Sequence, residues 1–230
     1  MIKNFSKIQI ATAIALLFHT IGLAGIMIFK SDLIIRSTPV NLLLCFILLI
    51  WTQKEKNSAF WLFMATVFII GFTVEVIGVN TGLLFGNYSY GNVLGTKWQQ
   101  VPFMIGINWV IIIYCCGISV TALLHGITRH ANEHMPAPTN TLKTLSVITD
   151  GATLAVLFDW IMEPVAVKLK FWQWDQNDIP VYNYICWFFI SLLLLALFQL
   201  CKFDKRNKFA VNLLLIQFLF FLILRTFLNN

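Results

Sequence analysis

The sequence predicts an all-α, polytopic integral membrane bundle of about seven transmembrane helices, organised as one transmembrane domain over residues 1–230. Three observations carry that expectation. Charged residues make up 11% of the chain, against about 25% in a soluble domain whose surface must face water. Hydrophobic residues reach 59%, with a mean hydropathy of +0.80. The apolar residues also gather into segments close to the ~20 residues that a helix needs to cross a bilayer.

Seven such segments run at about residues 8–29, 34–51, 58–79, 101–124, 143–163, 180–201 and 208–228. The second is interrupted by Pro39, so its uninterrupted apolar run is short. The first follows Lys3 and Lys7 as a signal peptide would, but its apolar run is too long and no small-x-small cleavage site follows it. A retained first helix is the expectation. No Pro/Ser-rich linker divides the chain.

Orientation follows from alternate loops. The N-terminus and the loops near 52–57, 125–143 and 202–208 hold ten Lys and Arg residues: Lys3, Lys7, Lys54, Lys56, Arg129, Lys143, Lys202, Lys205, Arg206 and Lys208. The other side holds six: Lys30, Arg36, Lys97, Lys168, Lys170 and Arg225. The positive-inside rule then puts the N-terminus in the cytoplasm and the C-terminus outside, in a multi-pass cell-membrane protein. The net charge of +6 is spread over loops and reads as topology and lipid contact, with no nucleic-acid partner expected. No motif specifies an oligomeric state.

Two loops on the non-cytoplasmic side differ from ordinary connectors. Residues 80–100 interleave Gly82, Gly86, Gly91 and Gly95 with Phe85, Tyr88, Tyr90 and Trp98, and residues 164–180 set Phe171, Trp172 and Trp174 beside Asp175 and Asp178. Taken singly, each Trp or Tyr reads as an interfacial belt residue. Together the loops share a feature that a belt does not explain: each follows a helix ending in an acid.

Glu75 lies near the end of the third segment, and Asp150, Asp159 and Glu163 lie in the fifth. A carboxyl group in a spanning helix costs roughly 2.5–3.5 kcal/mol at the centre, so such residues usually face protein or a water pocket. Asp159 and Glu163 are four apart and share a helix face; Gly71, Glu75, Gly78 and Gly82 share another, where glycines let a neighbour approach. By the topology above, Glu75, Asp159 and Glu163 lie toward one membrane face and can converge. Asp150 points elsewhere, with Ser146 and Thr153 on its side, closer to the cytoplasmic end. A single such acid could equally be a hydrogen-bonded contact between helices, but three on one side favour a site. Asn108 and Trp109 open the fourth segment, and Asn183, Trp187 and Ser191 form one face of the sixth. Asn183 also suits a helix entry and Trp187 simple packing, yet indole faces can shelter a cation.

Other chemistries lack their residues. Five cysteines (Cys45, Cys115, Cys116, Cys186, Cys201) lie in or beside apolar runs, without a disulfide framework or metal-ligand spacing. The four histidines (His19, His125, His130, His134) are too few for a di-iron hydroxylase, and three of them fall in one solvated loop. There is no GxGxxG after a strand, and no central lysine in the seventh segment for retinal. Asp159-x-x-x-Glu163 resembles half of a prenyltransferase metal–diphosphate motif, but the second acidic motif is missing.

Two stretches carry a family resemblance. Glu75-Val-Ile-Gly-Val-Asn-Thr-Gly-Leu-Leu-Phe-Gly-Asn-Tyr-Ser-Tyr90, continuing through Leu94-Gly95 to Val101-Pro102, resembles a signature of the membrane carotenoid biosynthesis proteins. That family includes the carotenoid 1,2-hydratases and bisanhydrobacterioruberin hydratase. Asp159-Trp-Ile-Met-Glu-Pro-Val-Ala166 with Trp172-Gln-Trp174, then Pro180, Asn183 and Trp187, is similar to its second signature. The chain departs at Cys186, where glycine is common, and in a short loop before Pro180.

The resemblance implies a hydro-lyase that adds water across the terminal isopropylidene double bond of an acyclic carotenoid end group. The substrate would be a long polyene lipid, and no metal, flavin or nicotinamide cofactor is required. The residues suggest a compatible mechanism. A carboxylic acid must hold its proton to protonate an alkene, aromatic rings shelter the tertiary cation, and a second carboxylate deprotonates the attacking water. Asp159 or Glu75 would be the acid and Glu163 the group assisting water, with Tyr88, Tyr90, Asn108, Trp109, Asn183 and Trp187 binding substrate. Two alternatives share these residues: a membrane carotenoid cyclase, whose proline-acid-acid signature is missing since Glu163-Pro164 runs in reverse, and a non-catalytic lipid-binding or transport protein.

Overall fold

A computed structural model describes residues 5–130, 138–175 and 178–228; Lys3 and His134 lie outside them. Eight helices lie among the described residues: α1 Lys7–Met27, α2 Asp32–Arg36, α3 Thr38–Thr52, α4 Ser58–Thr81, α5 Phe103–His130, α6 Asn140–Lys168, α7 Val181–Leu200 and α8 Lys208–Leu228. Six of them (α1, α4, α5, α6, α7 and α8) are long and apolar enough to cross a membrane. The protein is an all-α, multi-pass membrane bundle.

Local chemistry sets the helix ends. Ser6 and Gln9 close a capping box on α1, Asn57 accepts from the Phe60 N–H to start α4, and Thr139 accepts from the Leu142 N–H to start α6. Both α5 and α6 outrun their apolar segments, because polar turns continue a helix already formed in lipid.

The second apolar segment is divided rather than continuous. Pro39 has no N–H, and its ring crowds the preceding turn, so α2 ends and α3 restarts around it. The hydroxyls of Ser37 and Thr38 donate to the Ile34 and Ile35 carbonyls, both at 2.7 Å. At 1.5 Å per residue α3 is only ~22 Å long, short of the ~30 Å hydrocarbon core. The α2–α3 unit still returns to the face where α1 begins, since the Lys7 ammonium lies 6.0 Å from the Trp51 ring centroid.

At the other end of the bundle, Lys168 reaches the Leu228 carbonyl, so α8 finishes on the face where α6 finishes. The described chain therefore begins on one face and ends on the opposite one.

Helix α5 is central, touching α3, α4, α6, α7 and α8, and its side chains from Trp109 to Ile118 are all buried. Large apolar side chains such as Leu17, Ile69, Phe189 and Leu215 point outward, as they should when the surrounding solvent is lipid. All five cysteines are buried and free.

Helix α6 contains Pro164. A proline there cannot donate to the carbonyl four residues back, which belongs to Trp160. Arg225 of α8 fills the gap: its guanidinium donates to the Trp160 carbonyl and lies 3.8 Å from the Trp160 ring centroid.

The two aromatic loops are not plain connectors. Strand β1 (Tyr88–Tyr90) pairs antiparallel with β4 (Trp172–Trp174), with Tyr88 opposite Trp174 and Tyr90 opposite Trp172. A small hairpin forms between β2 (Lys97–Trp98) and β3 (Val101–Pro102). Beside the first pairing, the Gly91 N–H donates to the Phe171 carbonyl at 2.9 Å. A Cβ at Gly91 would stand 2.1 Å from the Lys170 carbonyl oxygen, so only glycine lets the loops close this far. The joined loops form a lid over one end of the bundle.

Candidate active site

Beneath that lid, Glu75, Asp159 and Glu163 are all buried and line one small cavity of about 20 Å³. That volume is on the scale of a single water molecule. Tyr88, Tyr90, Asn108, Trp109, Asn183 and Trp187 complete the predicted set, and all six lie in the same wall. Asp150 is different: it is exposed on α6, and its nearest bond is a long 3.5 Å contact from the Thr149 hydroxyl. It lies within the spanning helix but faces away from the other acids, as its position on the helix leads one to expect, and it takes no part in the cluster.

Each acid is held in its own way. Glu75 has both oxygens engaged: Oε2 accepts from the Tyr88 hydroxyl at 2.5 Å and the Tyr90 hydroxyl at 2.7 Å, and Oε1 accepts from the Trp109 indole N–H at 2.9 Å. Trp109 can reach because residue 71 is glycine; a Cβ there would meet the Trp109 Cγ at 2.5 Å. Burial, and after it the Glu75 charge, holds the Tyr88 and Tyr90 phenols well above the usual range, so both keep their protons and donate.

Glu163 Oε2 accepts from the indoles of Trp172 at 2.9 Å and Trp174 at 3.0 Å. The Asn183 amide donates to Asp159 Oδ2 at 2.8 Å and lies 3.4 Å from Glu163 Oε1. Asp159 Oδ1 has no hydrogen-bond partner although it is fully buried. Buried polar atoms are almost always paired, so an open carboxyl oxygen is a feature to explain.

In the sequence Trp172 and Trp174 stand only as loop aromatics, outside the expected site set. Their alternation with Gln173 carries the missing signal: residues two apart on a strand point to the same side. The structure buries both indoles and exposes Gln173. Phe85, one of the loop aromatics singled out in the sequence, also lines the cavity, as do Ile105 and Met162, which nothing in their positions distinguishes from ordinary core residues.

The tryptophans at positions 109 and 187 stack with ring centroids 3.8 Å apart and planes 8° from parallel. Beside them, Ile105, Asn108, Met162 and Trp172 are shared with a second cavity of about 190 Å³. This chamber runs between α1, α3, α5, α6 and α8 and is lined mainly by apolar side chains, with His19, Asn41 and Gln217 among them. Phe18 and Ile21 line it and are also exposed on the lipid-facing surface of α1. Among the described residues, no group of three or more His, Cys, Asp or Glu side chains is arranged to hold a metal ion.

These features define a polytopic membrane protein with a carboxylate cluster sealed under an aromatic lid and adjoining an apolar chamber. The sequence profile described as "Carotenoid biosynthesis protein" matches residues 37–230, and the chain belongs to that family. It is similar to the bisanhydrobacterioruberin hydratase of Haloarcula japonica, with 24% identity over 154 residues. That match covers 65% of this chain and 47% of the relative, so the chain spans about half the length of the curated protein it matches. No solved structure matches the chain.

Proposed function

We propose that the protein is a carotenoid hydratase, adding water across the terminal isopropylidene double bond of an acyclic carotenoid end group to give a tertiary alcohol. The observation that carries this reading is the meeting of three buried carboxyl groups in one water-sized cavity beside an apolar chamber. The similarity to a hydratase points the same way.

The hydrogen-bond pattern supports distinct roles. Glu75 already accepts three donors, so its part is to anchor the lid through Tyr88 and Tyr90. Asp159 Oδ1 is the one carboxyl oxygen free to hold a proton toward the cavity. As the general acid, Asp159 passes that proton to the alkene CH carbon, and the positive charge forms on the dimethyl-substituted carbon. Aromatic faces in the cavity wall shelter the cation. A water oxygen bonds to the cationic carbon and gives up one proton to Glu163, completing the addition. Return of that proton to Asp159 restores the starting state, and Asn183 between the two acids keeps them in register. The polyene behind the reacting end group would lie in the adjoining chamber and enter from lipid past Phe18 and Ile21.

Expression in cells that accumulate lycopene, followed by mass analysis of pigments, tests the reading. A product one water heavier is expected. An isomer of unchanged mass would replace the hydratase with a cyclase, and no conversion of any acyclic carotenoid would favour a binding or transport role.

A further inference from the structure

The face of the bundle opposite the acids holds a second charged site. Gly117 of α5 packs against the Phe198 ring near the end of α7. The turns of α5 beyond Gly117 therefore run past the level where α7 stops at Leu200. At 1.5 Å per residue they rise ~20 Å, enough to carry them from the hydrocarbon into the headgroup layer. Ile118, His125 and Arg129 fall on one face of this stretch. Together with Lys205, Arg206 and Lys208 at the α7–α8 corner they border a cavity of about 390 Å³.

Among the described residues, the charges around this cleft are unbalanced. Arg206 is paired, donating to Asp204 at 2.9 Å. Arg129, Lys205 and Lys208 have no carboxylate partner among the described residues. Lys205 is half-buried: its ammonium lies 5.0 Å from the Phe198 ring centroid and donates at 3.3 Å to the Gln199 carbonyl. Burial pulls its pKa below the ordinary lysine value. The buried Ile118 and the half-buried Val211 supply apolar lining to the cleft.

We propose that this cleft binds a phosphate group, supplied by the headgroup of an anionic phospholipid whose chains pass over the apolar side of the cleft at Val211. A phosphodiester brings the negative charge that three cations without a carboxylate partner among the described residues lack, and it sits at the depth where the cleft opens. The site is separate from the carboxylate cluster, so it stands or falls independently of the hydratase reading.

The test is thermal unfolding of the full chain in non-ionic detergent. The additions are phosphatidylglycerol, phosphatidylcholine or inorganic phosphate at matched phosphate concentration. Phosphatidylglycerol should raise the melting temperature by roughly 3 °C or more, and the other two should not. An R129Q/K208Q variant that melts normally without lipid should lose the gain. An equal gain from phosphatidylcholine, or a gain kept by the variant, overturns the proposal. A gain from inorganic phosphate with none from phosphatidylglycerol overturns the lipid source in favour of a soluble phosphate. Should the variant not fold, the wild type decides: an electrostatic gain shrinks as salt rises, and a gain indifferent to salt rejects the cleft.

Discussion

Tyr88 and Trp174 face each other across the β1–β4 pairing, with ring centroids 5.0 Å apart. Each gives its hydrogen bond to a different carboxylate, Tyr88 to Glu75 and Trp174 to Glu163. The strand pairing thus fixes two acids from different helices against one another. Gly91→Val should separate them, because its side chain would strike the Lys170 carbonyl at the loop junction. Displacements on the order of 1 Å can cost ~100-fold in rate. The expected result is protein present in the membrane at near-normal abundance with product formation down tenfold or more. Unchanged turnover would mean that the lid does not position the acids.

The helices and the three acids were legible because lipid demands long apolar runs and makes intramembrane carboxylates conspicuous. The lid was not. Tyr88 and Trp174 are far apart in sequence, and although the Trp-Gln-Trp alternation hints at a strand, nothing local says that it pairs with Tyr88–Tyr90. The break at Pro39 was visible in the sequence, but its outcome depended on how Ser37 and Thr38 serve the freed carbonyls. Arg225 counted only as a topological charge, since nothing local announces that it answers Pro164. Asp150 was legible as an acid of the same helix pointing away from the other three, since helical geometry turns it from the Asp159–Glu163 face. It is exposed because α6 turns that face away from the bundle.

Glu75 and Trp109 should be energetically coupled. In Glu75→Gln the amide oxygen can still accept from the two tyrosines, which leaves the NH₂ group facing the Trp109 N–H, donor against donor. An unsatisfied buried donor costs about 1–3 kcal/mol. Trp109→Phe removes the conflict, so the double variant should lose less stability than the two single variants combined. Melting temperatures of the four proteins measure the coupling. Simple additivity would show that the contact contributes little.

The Pro164 and Arg225 pair calls for a similar cycle with the opposite logic. Arg225→Met leaves the Trp160 carbonyl without a donor, at a cost of about 1–3 kcal/mol. Pro164→Ala returns a backbone N–H to the same carbonyl. The cost of Arg225→Met should therefore shrink in the Pro164→Ala background. An equal cost in both backgrounds would place the role of Arg225 elsewhere, in its contact with the Trp160 ring.

Topology gives a simpler expectation. Lys7 lies against Trp51 at one face, and Lys168 meets Leu228 at the other. Reporter fusions at the two ends should report opposite compartments. Matching readings would remove the α2–α3 unit as a crossing.

The sharpest prediction concerns Asp159. Its Oδ2 is held by Asn183 while Oδ1 has no partner, so Asp159→Asn can keep the Asn183 contact through its amide oxygen. The substitution preserves size and polarity and removes the transferable proton. Loss of general acid assistance costs typically 10²–10⁴-fold. Hydrated pigment should fall by at least ~100-fold while membrane abundance and melting temperature stay close to wild type. Glu75→Gln should differ, lowering stability along with activity, because its amide opposes Trp109. If Asp159→Asn hydrates an acyclic carotenoid at near wild-type rates, the open oxygen is not the proton source. Glu163, the other acid on the same helix face, then becomes the candidate, and Glu163→Gln in the same assay would decide it.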